Sequence, residues 1–341
     1  MEIKKNATYG DIAKYTKFSK TTISRYFNDP DTLAPASREI IAKALVDLDY
    51  QENKVARILA NGQTEFIGVI VPDFYHHFFY EILNRILGTY ENNGYKFLVF
   101  VGNKKGEMER RYIQELMAYQ IEGLIVLSHT LPSQELAELQ IPVVTIERED
   151  QFVSSVNTDN ELGGRLAAAH LAELDCDVLI HINSHSSEGI PAYDRVSGFS
   201  QYCRENGLRH QVIIRPLDVS YEADKQTLTE ILEQVEAQYP GQRKGIFISN
   251  DTLANGFLNV LFHKFGCLPS TYRLIGFDDS PASRAAVVPI STVGQRLEQL
   301  AQEAMALLSD QIRAKKSGAA SSAPVHRVVE PVLIRRDTTA G

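Results

Sequence analysis

Ser19-Lys20-Thr21-Thr22-Ile23-Ser24-Arg25-Tyr26-Phe27-Asn28 is the stretch whose reading decides the amino-terminal architecture. Ser19 is a natural helix cap, because its hydroxyl can accept from a backbone N–H of the first turn, and Asn28-Asp29-Pro30-Asp31 ends the helix. Upstream, Thr8 followed by Asp11 reads as an N-cap and its acidic partner, opening a short helix through Tyr15 with Ile12 and Ala13 facing inward. Thr16-Lys17-Phe18 is the turn between the two. Downstream, Pro35 suits the first turn of a third helix, whose Ile41, Ala44, Leu45 and Leu48 recur at helical spacing. Three short helices so close together predict a helix-turn-helix unit, in which the second helix enters the major groove of DNA.

Roles follow from that geometry. Lys20 and Thr21 stand at the exposed start of the second helix, and Arg25 lies one turn on, on the same face. Arg25 can offer two donors to guanine O6 and N7, a contact that discriminates bases by about 1–3 kcal/mol. Thr8, Ser19, Thr22, Ser24 and Asn28 are better placed for phosphates. Taken alone, Lys20 and Arg25 would read as solvated charges, and it is the frame around them that favours DNA. The charge distribution agrees. The chain carries a formal −8, yet residues 1–62 hold ten basic against eight acidic side chains, a net of +2 that leaves −10 for the remainder.

The 341 residues, 44% hydrophobic and 23% charged, provide for several ordinary domains. Residues Met1 to Asn6 lead into polar helical sequence without an apolar segment, and no later stretch approaches the roughly 20 apolar residues of a membrane span, so a cytoplasmic protein is expected. Cys176, Cys203 and Cys267 are odd in number and widely spaced, which fits reduced structural thiols rather than disulfides or a metal site. From Phe66 the pattern becomes strand-helix alternation. Phe66–Val71, Lys96–Val101, Gly123–Leu127 and Pro142–Ile146 are apolar runs of the kind buried in parallel sheets, and the alternation resumes near Val178–Ile182, Gln211–Ile214, Gly245–Ser249 and Leu274–Phe277. Two doubly wound lobes are predicted, with a ligand held outside the carboxyl ends of the strands, in the cleft between lobes. That rule nominates Asp73 to Phe79, Ser128, Glu147, Arg148, Asn250, Asp251, Asp278 and Asp279, whose carboxylates, amides and aromatic faces suit a polyol.

The motifs Asp11-Ile12-Ala13, Ser19 to Asn28 and Leu48-Asp49-Tyr50 resemble the head of the lactose-repressor family. Asn53-Lys54-Val55-Ala56-Arg57-Ile58-Leu59-Ala60 is similar to that family's hinge helix, which pairs in the minor groove on specific DNA. The resemblance implies DNA contacts from Asn53 and Ala56 and makes Leu59 the apolar wedge that kinks a base step. Eight residues are too few for a stable helix off DNA, so the hinge suits a switch. It implies further that Arg195 in Asp194-Arg195-Val196-Ser197-Gly198-Phe199, Asn250, Asp278 and Gln295 belong to an effector pocket, that Tyr221 is an aromatic platform, and that Glu147 takes the place of a frequent Asp. His76-His77-Phe78-Phe79 replaces the family's common Asn-Pro-Phe-Phe, putting His76 and Phe78 in the pocket lining. Two departures stand out: Lys17 occupies the family's usual turn Gly, and Glu52 its usual Pro before the hinge.

The expectation is therefore a small all-α helix-turn-helix domain (1–50), a hinge (51–62), and an α/β periplasmic-binding-protein-like core of two doubly wound parallel-sheet lobes. The first lobe would be 63–160 with 293–323 and the second 161–292 with 324–341, Val325 to Arg335 forming one strand of the second. The resemblance implies a repressor of a carbohydrate-utilisation operon, released from operator DNA by a sugar or sugar phosphate. Glu109-Arg110-Arg111-Tyr112 and Thr158 to Arg165 are similar to sucrose-operon repressors. A homodimer is expected, since no tetramerising heptad tail follows Gly341, with neither a cofactor nor a metal. Adjacent His76 and His77 diverge on a helix and have no ligand partner at metal spacing. Two alternatives remain at this level: a repressor activated by a corepressor, either a purine or a phosphorylated carrier protein, and a non-transcriptional sugar-binding module. Enzyme motifs such as GxSxG, GxGxxG, a Walker loop or HExxH are absent from the sequence.

Overall fold

A computed structural model describes residues 7–51, 64–102, 106–148, 151–184, 190–217, 220–319 and 323–340. It divides into two units, residues 1–63 and 64–341. The hinge expectations for Asn53, Ala56 and Leu59 lie outside the described residues.

The first unit is the three-helix head. Helix α1 (Tyr9–Thr16) opens with a capping box in which the Thr8 hydroxyl and the Asp11 carboxylate each serve the other's backbone N–H. Helix α2 (Lys20–Asn28) starts at Ser19, whose Oγ accepts from the Thr22 amide at 3.1 Å. Helix α3 (Pro35–Asp47) has its proline in the first turn. Ile12, Ile23, Ile41 and Ala44 form the buried centre. Tyr9 stacks on Phe27 with centroids 5.0 Å apart, and Tyr15 Oη donates to Asp47 at 2.8 Å, tying α1 to the end of α3.

The second unit holds two six-stranded sheets. The first contains β1 (Phe66–Val71), β2 (Lys96–Val101), β3 (Gly123–Val126), β4 (Val143–Ile146), β5 (Ser154–Thr158) and, much later, β11 (His326–Val329), in the order β11-β5-β4-β3-β1-β2. The second contains β6 (Val178–Asn183), β7 (His210–Ile214), β8 (Lys244–Ile248), β9 (Tyr272–Asp278), β10 (Ser291–Gly294) and β12 (Val332–Ile334), in the order β12-β10-β9-β8-β6-β7. The described pairings are parallel except β10 with β12. Both faces of each sheet are covered. Successive side chains alternate, so Ile67, Val69 and Val71 join Leu300, Ala304 and Leu308 of the helix Leu297–Lys316, while Ile70 joins Ile113 and Leu116 on the other face.

The lobe boundaries differ from those the sequence suggested. Strand β10 pairs along its length with β9, so the second lobe extends to Gly294 rather than stopping at 292. Val325 to Arg335 is not one strand of the second lobe: β11 pairs with β5 at the edge of the first sheet, and β12 pairs with β10 in the second. The chain therefore crosses between lobes three times, after β5, β10 and β11. A run of valines has the same apolar signature on either sheet, and only the pairing partners separate them.

Helices Asn160–Ala172 and Pro191–Glu205 meet backbone to backbone. A Cβ on Gly198 would stand 1.9 Å from the Glu161 carbonyl oxygen, and one on Gly164 would stand 2.2 Å from that of Arg195. These glycines set the depth at which Arg195 enters the cleft.

Lys17 closes α1 in the left-handed region, at φ 60° and ψ 18°. A side chain there costs roughly 1 kcal/mol that glycine avoids. Lys17→Gly is expected to stabilise the head by about 0.5–1 kcal/mol, read as slower amide exchange at Ile12 and Ile23. Exchange that is unchanged or faster would mean the turn holds no such strain.

Candidate functional site

On the head, one side of α2 is buried through Ile23, and the opposite side presents Lys20, Thr21 and Arg25 to solvent. Ser19, Thr22 and Thr8 are occupied by local bonds: Ser19 Oγ lies 2.8 Å from Thr22 Oγ1, and Thr8 Oγ1 donates to Asp11 at 2.7 Å. Each hydroxyl oxygen keeps acceptor or donor capacity for a phosphate or its water. Ser24 is half-buried on the same helix, and Asn28 is its last residue.

In the core, a cavity of about 480 Å³ opens between the lobes. The first lobe contributes Asp73, His76, Phe78, Phe79, Ser128 and Glu147 to its wall, and the second contributes Arg195, Asn250 and Asp278, with Gln295 at the second crossover. Asp73, Ser128, Glu147, Asn250 and Gln295 follow strand ends and Asp278 closes one, because parallel strands point their carboxyl ends to one side and the connecting loops collect there, whereas Phe78, Phe79 and Arg195 come from the helices His77–Gly88 and Pro191–Glu205. Two nominated residues stand elsewhere. Arg148 is buried, its guanidinium donating to the carbonyls of Ser128 and Leu131, so it braces the loop after β3 rather than facing the cavity. Tyr221, 55% exposed at the start of the helix Tyr221–Gln238, lines a different cavity of about 340 Å³ with Tyr75, His77 and Asp224.

The polar groups form a connected set. Asn160 Nδ2 donates to Glu147 Oε2 at 3.0 Å, and Asn160 Oδ1 accepts from Arg195 Nε at 2.7 Å. Arg195 also donates to the Ser249 carbonyl at 2.5 Å, lies 3.9 Å from Glu147, and stacks over Phe277 with its Cζ 3.5 Å from the ring centroid. Thr158 Oγ1 donates to Gln295 Oε1 at 2.7 Å, and Gln295 Nε2 donates to Asp278 Oδ1 at 2.5 Å. Ser128 Oγ donates to the buried Glu109 at 2.6 Å, and Asn250 caps the helix Asp251–Phe265 by accepting from the Leu253 amide at 2.8 Å. Burial raises the pKa values of Asp278 and Asp251; the Arg195 charge opposes the rise at Asp278, and the Thr292 hydroxyl opposes it at Asp251. Backbone strain collects here too. Glu147 and Asp278, which line the cleft, have φ of 54° and 112°, and Asp279 and Arg296, each next to a lining residue, have φ of 55° and 42°.

Outside the cavity, further bonds bridge the lobes. Tyr75 Oη donates to Asp224 at 2.8 Å, His77 Nδ1 lies 3.1 Å from Thr252 Oγ1, and Arg284 lies 3.8 Å from Glu81. A rotation of one lobe on the other has to rearrange these contacts.

Sequence reasoning did not assign His129, Thr130, Ile190 and Ala192 to the cleft, yet they line it. His129 and Thr130 directly follow Ser128, so extending the strand-end rule by two residues would have found them. Ala192 lies beyond the loop after β6 and carries no chemical signal. Asn160 is the larger omission, since its amide joins Glu147 to Arg195. Among the described residues there is no group of three or more metal-ligating side chains, and no helix is long and apolar enough to cross a membrane.

Comparison with known proteins adds four findings. A family model described as a periplasmic binding protein-like domain matches residues 168–339. The ribose operon repressor of Halalkalibacterium halodurans is 29% identical over 337 residues, spanning 98% of this chain and 97% of that protein. The sucrose operon repressor of Pediococcus pentosaceus is 29% identical over 303 residues, spanning 89% of this chain and 91% of that one. Among solved structures, the lac repressor dimer bound to operator and an anti-inducer matches with a TM-score of 0.81 at 23% identity, covering 99% of this chain and 100% of that chain, and so shares its fold.

Asp278 gives a testable consequence. Its folded pKa is raised above the ordinary 3.8 by burial, so the folded state holds the proton more tightly than the unfolded chain does. The stability contributed by this group therefore falls as pH rises from about 4 through the folded value. Asp278→Asn keeps an oxygen for Gln295 and loses that penalty. The variant is expected to melt higher than the parent at pH 7.5, by a margin that shrinks towards pH 4. A lower melting point across that range would show the ionised carboxylate to be stabilising.

Proposed function

We propose a function on the premise that the chain belongs to the lactose-repressor family of transcription regulators, with a periplasmic-binding-protein-like core. It is a DNA-binding repressor of a carbohydrate-utilisation operon, and a sugar bound between the core lobes releases it from its operator. The observation that carries this reading is the presence in one chain of a three-helix head with Lys20, Thr21 and Arg25 exposed on α2 and a two-lobed core with a polar cleft. A transport-type binding protein would have no use for the first, and a ribose operon repressor and a sucrose operon repressor match over 98% and 89% of the chain.

Arg25 and Lys20 read base edges in the major groove, while Thr8, Ser19, Thr22, Ser24 and Asn28 hold phosphates. Asn53, Ala56 and Leu59 act in the adjacent minor groove. Two copies of the chain bind a pseudo-palindromic site whose symmetry mirrors their own. In the cleft, Asp73, Glu147, Asn250, Asp278 and Gln295 share the sugar hydroxyls with Arg195, and Phe78 covers an apolar face. Closure on the sugar rotates one lobe against the other and changes how the dimer presents its heads. Sugar and operator then favour different states, and each weakens the other's binding by the same factor.

Two measurements check the two halves. Selection from random DNA is expected to return a two-fold symmetric site, to which Arg25→Ala binds about 10–100-fold more weakly, in line with a lost bidentate contact. Equal affinity of parent and variant for the selected site would remove Arg25 from base readout. Thermal unfolding against ribose, sucrose and other mono- and disaccharides is expected to single out one class, with about 2.7 kcal/mol of stabilisation at 100 times Kd. Arg195→Ala should abolish that shift; a shift retained in full would place the sugar elsewhere.

A further inference from the structure

Among the described residues that line the cleft, carboxyl groups outnumber lysines and arginines, and the one guanidinium is already committed. Among the described residues lining it, the carboxyl groups are Asp73, Glu147 and Asp278, the only arginine is Arg195, and there is no lysine. Arg195 has Asn160 on Nε, the Ser249 carbonyl on Nη1, Glu147 at 3.9 Å from Nη2 and the Phe277 ring against its face. The imidazoles are opposed in the same way. His76 Nδ1 lies 3.5 Å from Asp73 Oδ1, and His129 Nε2 lies 2.8 Å from the Glu147 carbonyl.

Helix amino termini are the other usual seat for an anion, because their free N–H groups and dipole attract negative charge. At two of those facing this cleft an acceptor side chain already stands at or just before the helix start. Asn250 Oδ1 takes the Leu253 amide, and Asp73 Oδ1 takes the Tyr75 amide at 3.0 Å, just before the helix His77–Gly88. The helix Pro191–Glu205 lacks the first of its free N–H groups, because it begins with a proline, and the Tyr193 amide is taken by the Ile190 carbonyl at 2.8 Å.

From this arrangement we infer that the cleft takes an uncharged polyol and rejects its phosphate ester. The inference rests on the effector reading above and narrows it. A phosphate monoester carries a charge of about −1.5 to −2 near neutral pH and is recognised through arginine forks, lysines or open helix ends. Here it would meet the acid groups of Asp73 and Glu147, beside Asp278, whose buried carboxyl binds its proton more tightly than usual, and no uncommitted lysine or arginine among the described lining residues. A neutral sugar instead supplies hydroxyl donors to those same carboxyl oxygens and an apolar face to Phe78 and Phe79. Selectivity of this kind comes as much from repelling the wrong ligand as from attracting the right one.

The test is titration of the full-length protein with matched pairs: D-ribose and D-ribose 5-phosphate, sucrose and sucrose 6-phosphate, D-fructose and D-fructose 6-phosphate, with inorganic phosphate as competitor. Thermal unfolding and calorimetry are the readouts. One free sugar is expected to bind, with its ester weaker by roughly 100-fold or more. Asp73→Asn, which keeps the acceptor for the Tyr75 amide, is expected to narrow that gap several-fold. An ester that binds as tightly as its sugar, or inorganic phosphate that displaces the sugar, overturns the inference while leaving the effector reading intact. If no sugar and no ester acts on the protein, the effector reading falls and the inference with it.

Discussion

The side-chain amide of Asn160 is the point on which the geometry of the core depends. It stands where the chain first crosses from one lobe to the other, donates to Glu147 of the first lobe and accepts from Arg195 of the second. Its own position is fixed by the Asp159 cap at the helix start and by a second bond to the Thr158 carbonyl. A buried polar network of this kind is stable only when each member is satisfied. Its cost when broken gives the two lobes a defined relation instead of a continuum of angles. The close approach of Gly164 and Gly198 completes the constraint by letting the Arg195 helix sit directly against the Asn160 helix.

Much of the fold could be read directly from the sequence, for identifiable physical reasons. The head announces itself through local chemistry: Thr8 with Asp11, Ser19 with Thr22, and Pro35 act within three residues of themselves, so no distant partner is needed to interpret them. Strands β1, β3, β4, β6 and β8 are apolar because both of their faces are covered. Strand β5 is the opposite case. Ser154, Ser155, Asn157 and Thr158 are all buried, and their polar atoms are satisfied by Gln311, His326, Arg148 and Gln295. Three of those four partners lie more than 130 positions away in the chain. Periodicity carries no trace of such a strand, and for the same reason β11 and β12 could not be assigned to different sheets.

The cleft was legible to a similar degree. The rule that ligands gather beyond strand ends found Asp73, Ser128, Glu147, Asn250 and Asp278, because the rule is a property of parallel sheets and not of particular residues. It misplaced Arg148, whose side chain turns back to backbone carbonyls, and the resemblance misplaced Tyr221, which lines the neighbouring cavity. Side-chain direction, unlike strand ends, depends on local competition for hydrogen-bond partners. Asn160 went unnoticed because its type suits a helix start as readily as a bridge between lobes.

If the Asn160 bridge is what makes sugar and operator antagonistic, the two bindings must uncouple when it is cut. The direct measurement is the operator dissociation constant with and without a saturating sugar, for the parent chain and for Asn160→Ala. The account predicts that sugar weakens operator binding at least about tenfold in the parent, a coupling of roughly 1.4 kcal/mol, and that the variant binds operator normally with little response to sugar. A parent affinity that sugar leaves unchanged, or a variant that responds in full, would contradict it.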